Sequence, residues 1–223
     1  MIQYSQGIKM KKNIIDFIKR NRVSTTELAD CMEKSGSIQN VKAINRGHFS
    51  VGNLKYVYAC NGTNWDVHKQ LETVEDGDIV FVDIFDNLDK AVFGDLVSKY
   101  LILYKQSNAI VVNGLLRDAT RLIKENWPIW CGGFSPVGYI NEDVKKSNEQ
   151  LSKIQERKNI YDGAIAVCDD TGVIFIPKEF HKIQFLEKIQ FIEEQEDIWF
   201  DCIDRKKYST YETVCLKKYQ GDK

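Results

Sequence analysis

Two uninterrupted apolar runs constrain this chain most: Ile79-Val80-Phe81-Val82 and Ala109-Ile110-Val111-Val112. A four-residue run with no polar face must be covered on both sides, so each reads as a strand buried inside a domain. Between them lies Gly94-Asp95, followed by apolar positions at Leu96, Val97, Tyr100, Leu101 and Leu103, the spacing of a helix. Buried strands that alternate with helices favour the α/β class.

The flanks extend this pattern. Ile14, Ile15, Phe17 and Ile18 predict a helix over residues 11–21. Ser24 with Glu27 three residues on forms a capping box ahead of Leu28, Cys31 and Met32, and Gly36 is expected to end that helix. Residues 51–60 read as a strand and 66–71 as a short helix. Asn113-Gly114 reads as a turn, with a helix starting near Asp118. Pro128 and Trp130 mark a further short strand. Residues 164–168 and 173–176 are strands joined by Asp169-Asp170-Thr171-Gly172. Residues 178–196 read as a helix with Ile183, Leu186, Ile189 and Phe191 available for packing. Residues 141–159 break the rhythm: long, charged, without a core-forming stripe, either a surface helix or a mobile loop.

A 223-residue chain with 43% hydrophobic residues and three prolines can bury a core. A formal net charge of -1 gives no electrostatic case for nucleic acid. No apolar run reaches membrane-spanning length, and Met1 to Lys12 holds no apolar signal core. A cytoplasmic, membrane-free location is therefore expected. The six cysteines form no C-x-x-C pair, and they read as small buried hydrophobes in a reducing compartment. His48, His68 and His181 do not cluster with other ligand types and read as packing or surface residues. No glycine-rich loop follows a strand in the manner that a methyl-transfer cofactor requires.

Two short stretches combine chemistry-bearing residues. In Phe93-Gly94-Asp95-Leu96-Val97, a glycine at a helix entry allows close approach to the backbone, and the first helical amides favour an anion such as a carboxylate. In Asn113-Gly114-Leu115-Leu116-Arg117-Asp118, a buried strand delivers a guanidinium fork for a carboxylate and hard oxygens suited to Mg²⁺ or Mn²⁺. Each has an ordinary reading too, with Asp95 and Asp118 as helix caps.

Taken in order, the motifs resemble one family. Gly-Asp, then a helix and a strand, then Arg-Asp, resembles the signature of the 4-hydroxy-4-methyl-2-oxoglutarate aldolases and the regulator of ribonuclease activity A, the RraA-like family. The stretch from Ser24 to Asp30, the segment Trp65-Asp66-Val67-His68, the turn and strand from Glu75 to Asp83, Trp127-Pro128-Ile129-Trp130, Phe134-Ser135-Pro136 and the hairpin from Asp169 to Pro177 extend the resemblance over residues 24–137 and 161–195.

The resemblance implies a compact single domain of α/β/β/α type, with central mixed β-sheets flanked by helices. It implies residues 24–197 as the RraA-like domain, with extensions at 1–23 and 198–223 and a divergent insert at 141–159. It also implies a homotrimer, sometimes a hexamer, with the site at a subunit interface. By carry-over, Asp118 would bind Mg²⁺ or Mn²⁺ and Asp95 would hold a water of that ion. Arg117 would contact the keto oxygen and carboxylate of a small 2-oxo acid. The backbone of Gly94, Asp95, Leu96 and Val97 would bind the substrate. Glu193, Glu194 and Glu196 are candidates for an acidic residue given to a neighbouring subunit, beside their plainer reading as a solvated helix end.

Three departures from the family pattern stand out. One extra residue separates Asp95 from Arg117, expected in the loop at 106–108. Arg121 stands where the family carries an acid. Residues 141–159 replace a hydrophobic, glycine-rich hairpin. The function implied is a divalent-metal-dependent lyase, aldolase or decarboxylase. The alternatives are a non-catalytic binding or regulatory protein on the same scaffold, or an enzyme of a sugar or secondary-metabolite pathway that reuses the metal site.

Overall fold

The computed structural model describes residues 2–221; position 1 and positions 222–223 of the expected terminal extensions lie outside them. The chain begins with α1 (Ile2–Asn21) and α2 (Thr25–Cys31), followed by β1 (Lys42–Ala43) and β2 (Ser50–Ala59). Then come α3 (Trp65–Leu71), β3 (Ile79–Ile84), α4 (Asp95–Lys99), β4 (Ala109–Leu116), α5 (Ala119–Lys124) and β5 (Ile129–Phe134). Helix α6 (Asn148–Tyr161), the hairpin of β6 (Ile165–Cys168) and β7 (Val173–Ile176), and α7 (Ile183–Asp204) complete the main elements.

All seven strands join one mixed sheet in the order β1-β5-β4-β3-β2-β6-β7. Strands β2 to β5 run parallel, as the helices between them require. β1, β6 and β7 pair antiparallel. Beyond β7, Ile38 N donates to Val173 O and Phe175 N to Gly36 O, while β1 pairs with β5 a few residues later. The segment 36–43 thus connects the two edges, and the sheet nearly closes on itself. This single curled sheet supplies both β layers.

Alternation along the strands sorts the core into layers. Val57 and Ala59 of β2, with Val80, Val82, Ile110 and Val112, pack under α3, α4 and α5. Leu54, Tyr56, Ile79, Phe81 and Val111 point the other way, into the interior that they share with Trp130, Cys168 and Phe175. Ile165, Val167, Ile174 and Ile176 face outward again, against Ile14 and Ile18 of α1, Leu28 of α2, and Phe185 and Ile189 of α7. The result is helix, sheet, sheet, helix. Five cysteines are buried, Cys215 is exposed, and all six are free thiols. No described helix is long and apolar enough to cross a membrane.

Several local expectations needed correction. Asn113-Gly114 is no turn: β4 runs through it, with a register shift against β5 between Val112 and Leu115. The Asn113 amide replaces the ladder there, accepting from Ile84 N at 2.6 Å and donating to Asp83 Oδ1 at 2.6 Å. Helix α2 ends at Met32, before Gly36, although its Ser24–Glu27 capping box forms. On α7 the buried positions are Phe185, Ile189 and Cys202, while Ile183 and Phe191 are exposed. For the polar stretch 141–159 the structure decides for the helix of the two alternatives: it is largely ordered as α6, which begins with a Ser147–Gln150 capping box. Ile154 is its buried anchor, and Arg157 reaches the buried Asp83.

Candidate active site

The site forms where β4 ends. After β3 the chain returns beside this exit: Val92 N donates to Leu115 O, and Arg117 N donates to Phe93 O, both at 3.0 Å. On the far side Ala91 N donates to Val137 O and Tyr139 N to Ala91 O. These bonds press residues 91–94 between the end of β4 and the strand-like segment 137–140. Gly94 therefore meets Arg117 and Asp118 closely. A Cβ at Gly94 would lie 2.0 Å from Asp118 Oδ2 and 2.7 Å from Arg117 Cγ, so only glycine fits without displacing them. Gly138 lies beneath Arg117, whose Nη1 would be 2.9 Å from an added Cβ; that flexible end can shift, so the demand for glycine is weaker there.

Gly94, not Asp95, is the N-cap of α4, while Asp118, left-handed at φ 61°, holds the N-cap position of α5 without a side-chain hydrogen bond to that helix. Asp118 Oδ2 accepts instead from Asp95 N at 3.2 Å and lies 3.5 Å from Arg117 Nε. Arg121 Nη1 donates to Asp95 Oδ2. That guanidinium, beside Asp95, holds its carboxyl below the usual carboxylate range.

Gly94, Asp95, Leu96, Val97, Arg117 and Asp118 all line one small open cleft of about 120 Å³. The structure brings these six sequence-predicted residues together, but not Glu193, Glu194 and Glu196. Asn64, His68, Tyr139 and Asn141 line it as well, and the sequence reading had passed over them or given them other roles. Thr63 explains how α3 arrives here: its hydroxyl donates to Glu142 O at 2.7 Å and Asn64 N donates to Ile140 O at 3.1 Å. His68 lies one turn beyond Asn64 on the same helix face; that spacing was the available signal. Asn64 Nδ2 donates to Val92 O at 3.2 Å, while Oδ1 is buried without a hydrogen-bond partner. Tyr139 donates to Asp86 O at 2.5 Å, and burial pushes its phenol up.

Tyr100–Tyr104 continues α4 as a π turn.

The donors available for a metal are few. Among the described residues, no three or more His, Cys, Asp and Glu side chains converge on one point. The cleft offers Asp118, a hard oxygen donor 40% exposed, with Asp95 beside it. One or two carboxylates suit Mg²⁺ or Mn²⁺, ions that retain water and take further oxygens from a substrate. Glu193, Glu194 and Glu196 belong to α7; Glu193 and Glu196 lie near Glu27 of α2, in the opposite helix layer, and burial raises the carboxyls of both.

Residues 25–175 match the profile of the RraA-like family, described as Aldolase/RraA. The chain belongs to the RraA-like family. A protein of Halalkalibacterium halodurans named as a candidate 4-hydroxy-4-methyl-2-oxoglutarate aldolase is 28% identical over 174 residues, covering 76% of this chain and 80% of that one. Protein DlpA of Legionella pneumophila is 25% identical over 167 residues, 73% of this chain; the RraA-like chain spans 27% of DlpA's length. The crystal structure of Streptomyces coelicolor RraAS2, titled an unusual member of the RNase ES inhibitor RraA family, superposes with a TM-score of 0.62 at 20% identity. It covers 83% of this chain and 92% of that one, and this likeness concerns the fold.

Proposed function

We propose that this RraA-like chain is a divalent-metal-dependent carbon–carbon lyase that acts on a small 2-oxo acid through a pyruvate-type enolate. The observation that carries the reading is the convergence of Gly94, Arg117 and Asp118 at the exit of β4, with Gly94 having no room for a side chain. The relative named for an aldolase supports the reaction class.

Each residue has a task within this reading. The amides of Leu96 and Val97 at the start of α4, with that of Asp95 once its bond to Asp118 Oδ2 is released, bind the substrate carboxylate. Arg117 places positive charge where the enolate oxygen develops. Asp118 holds Mg²⁺ or Mn²⁺, which when bound supplies Lewis-acid polarisation of the keto oxygen. In an oxaloacetate-type substrate the C3–C4 bond breaks, its electron pair remains at C3 as the enolate, and carbon dioxide leaves. A proton from water then reaches C3. In an aldol substrate the same bond breaks as the C4 hydroxyl gives its proton to water. Asp95, beside Asp118, orients that water. The same reading makes the protein a cytoplasmic homotrimer or hexamer. The exposed apolar side chains of Leu96, Phe134, Val137 and Ile140 near the cleft support a subunit contact there.

A second reading is a non-catalytic binding or regulatory protein, favoured by the Arg121–Asp95 pair, which engages a carboxylate that the lyase needs. Pyruvate release from oxaloacetate with Mg²⁺ or Mn²⁺ separates the two. The lyase reading expects metal-dependent turnover that Asp118→Ala loses. Equal background rates for both proteins, with a second 2-oxo acid also silent, favour the binding protein.

A further inference from the structure

We propose that Arg121 makes this cleft take its divalent ion together with the 2-oxo acid rather than ahead of it. The inference rests on the lyase reading and adds a role for a residue that reading does not use.

The charges in the cleft are already balanced before any ligand arrives. Asp118 lies against Arg117, and Asp95 is held by Arg121 from the first turn of α5. Arg121 follows Asp118 by one turn, with its amide donating to Asp118 O at 2.9 Å. Two carboxylates thus face two guanidinium groups, and the sum is zero. A dication that enters alone meets both arginines and finds Asp95 occupied, leaving Asp118 as its one anchor. Such a site holds a bare ion weakly. A 2-oxo acid changes both terms. It brings its own negative charge and two chelating oxygens, which replace the ligand and the charge that Arg121 withholds. The side chain of Arg121 is 69% exposed and lies outside the core, so its replacement leaves the packing intact.

The test is Mn²⁺ binding followed by electron paramagnetic resonance, without and with oxalate as an unreactive chelating dianion. The proteins are wild type, Arg121→Gln, Arg121→Glu and Asp118→Ala, with complexes of Mn²⁺ and oxalate in solution subtracted. Wild type is expected to bind Mn²⁺ alone at least tenfold more weakly than Arg121→Glu, and to gain at least tenfold from oxalate. Arg121→Gln should fall between them, and Arg121→Glu should gain little from oxalate. Equal affinity of wild type and Arg121→Glu for Mn²⁺ alone, with Asp118→Ala defective, overturns the role of Arg121 and leaves the metal site standing. Binding that Asp118→Ala does not impair overturns the metal site and this inference with it.

Discussion

Arg157 grips Asp83 from two directions, Nε to Oδ2 at 2.7 Å and Nη2 to Oδ1 at 3.0 Å. Asp83 is the last residue but one of β3 and its side chain is 3% exposed, while Arg157 comes from the polar helix α6. Tyr56 Oη and Asn113 Nδ2 donate to the same carboxylate, at 3.1 and 2.6 Å. Arg157 also lies 4.9 Å from the centre of the Tyr161 ring. Removing the cation leaves a buried charge short of its strongest partner. Because Arg157 is partly exposed and two donors remain, Arg157→Ala should cost about 2–3 kcal/mol, below the full loss for a buried pair. Urea unfolding measures it. Adding Asp83→Asn should restore part of the loss, and a single-variant effect under about 0.5 kcal/mol would show that α6 docks without this pair.

Gly94→Ala probes the closeness of the site. Its φ of -141° is not left-handed, and the main obstacle is space. The new Cβ must push Asp118 Oδ2 and Arg117 Cγ away. Both side chains can swing toward solvent, so stability should fall by only about 1 kcal/mol. Lyase turnover should fall at least about tenfold, because a shift of this size misplaces the reacting groups. Thermal unfolding beside kcat/KM separates the effects, and an unchanged kcat/KM would contradict the assigned geometry.

His181 sets a pH dependence of stability. Burial lowers its imidazole to about 4, and Lys11 and Lys178 nearby add to that shift. The unfolded chain takes up this proton near its ordinary pKa of about 6.5. Between these values the unfolded state binds more protons, so stability rises with pH and is lost as pH falls from about 6.5 to 4. After allowance for partial exposure, the loss should be on the order of 1–2 kcal/mol. Urea midpoints at pH 7 and pH 5 should differ less for His181→Asn than for wild type; equal differences would contradict this assignment.

The sequence and the structure agree best where burial is simplest. β3 and β4 were readable because both faces are covered, which leaves no polar position to confuse the pattern. Gly94, Asp95, Arg117 and Asp118 stand out as candidates because each lies at the end of a strand or the start of a helix, where ligands gather, and they line one cleft. Helix α6 lacks an apolar stripe, and its place depends on Ile154, Arg157 and the Asn61–Gln150 contact, partners far away in the chain. The local signal overlooked was the Ser147–Gln150 capping box. His68 and Asn64 enter the cleft because segment 137–142 carries the start of α3 there; their spacing signals one shared helix face, while its docking is a long-range arrangement. Asn113-Gly114 has the composition of a turn, yet its amide completes the bonding of Ile84, so β4 continues.

The central claim is that Arg117 and Asp118 stabilise a pyruvate-type enolate, and exchange of the methyl protons of pyruvate in deuterated water tests it without knowledge of the natural substrate. Followed by proton nuclear magnetic resonance with Mg²⁺ or Mn²⁺, wild type should wash out the methyl signal well above the buffer rate. Arg117→Ala and Asp118→Ala should return it to that rate. Wild-type exchange no faster than buffer, or exchange that survives both substitutions, would contradict the account.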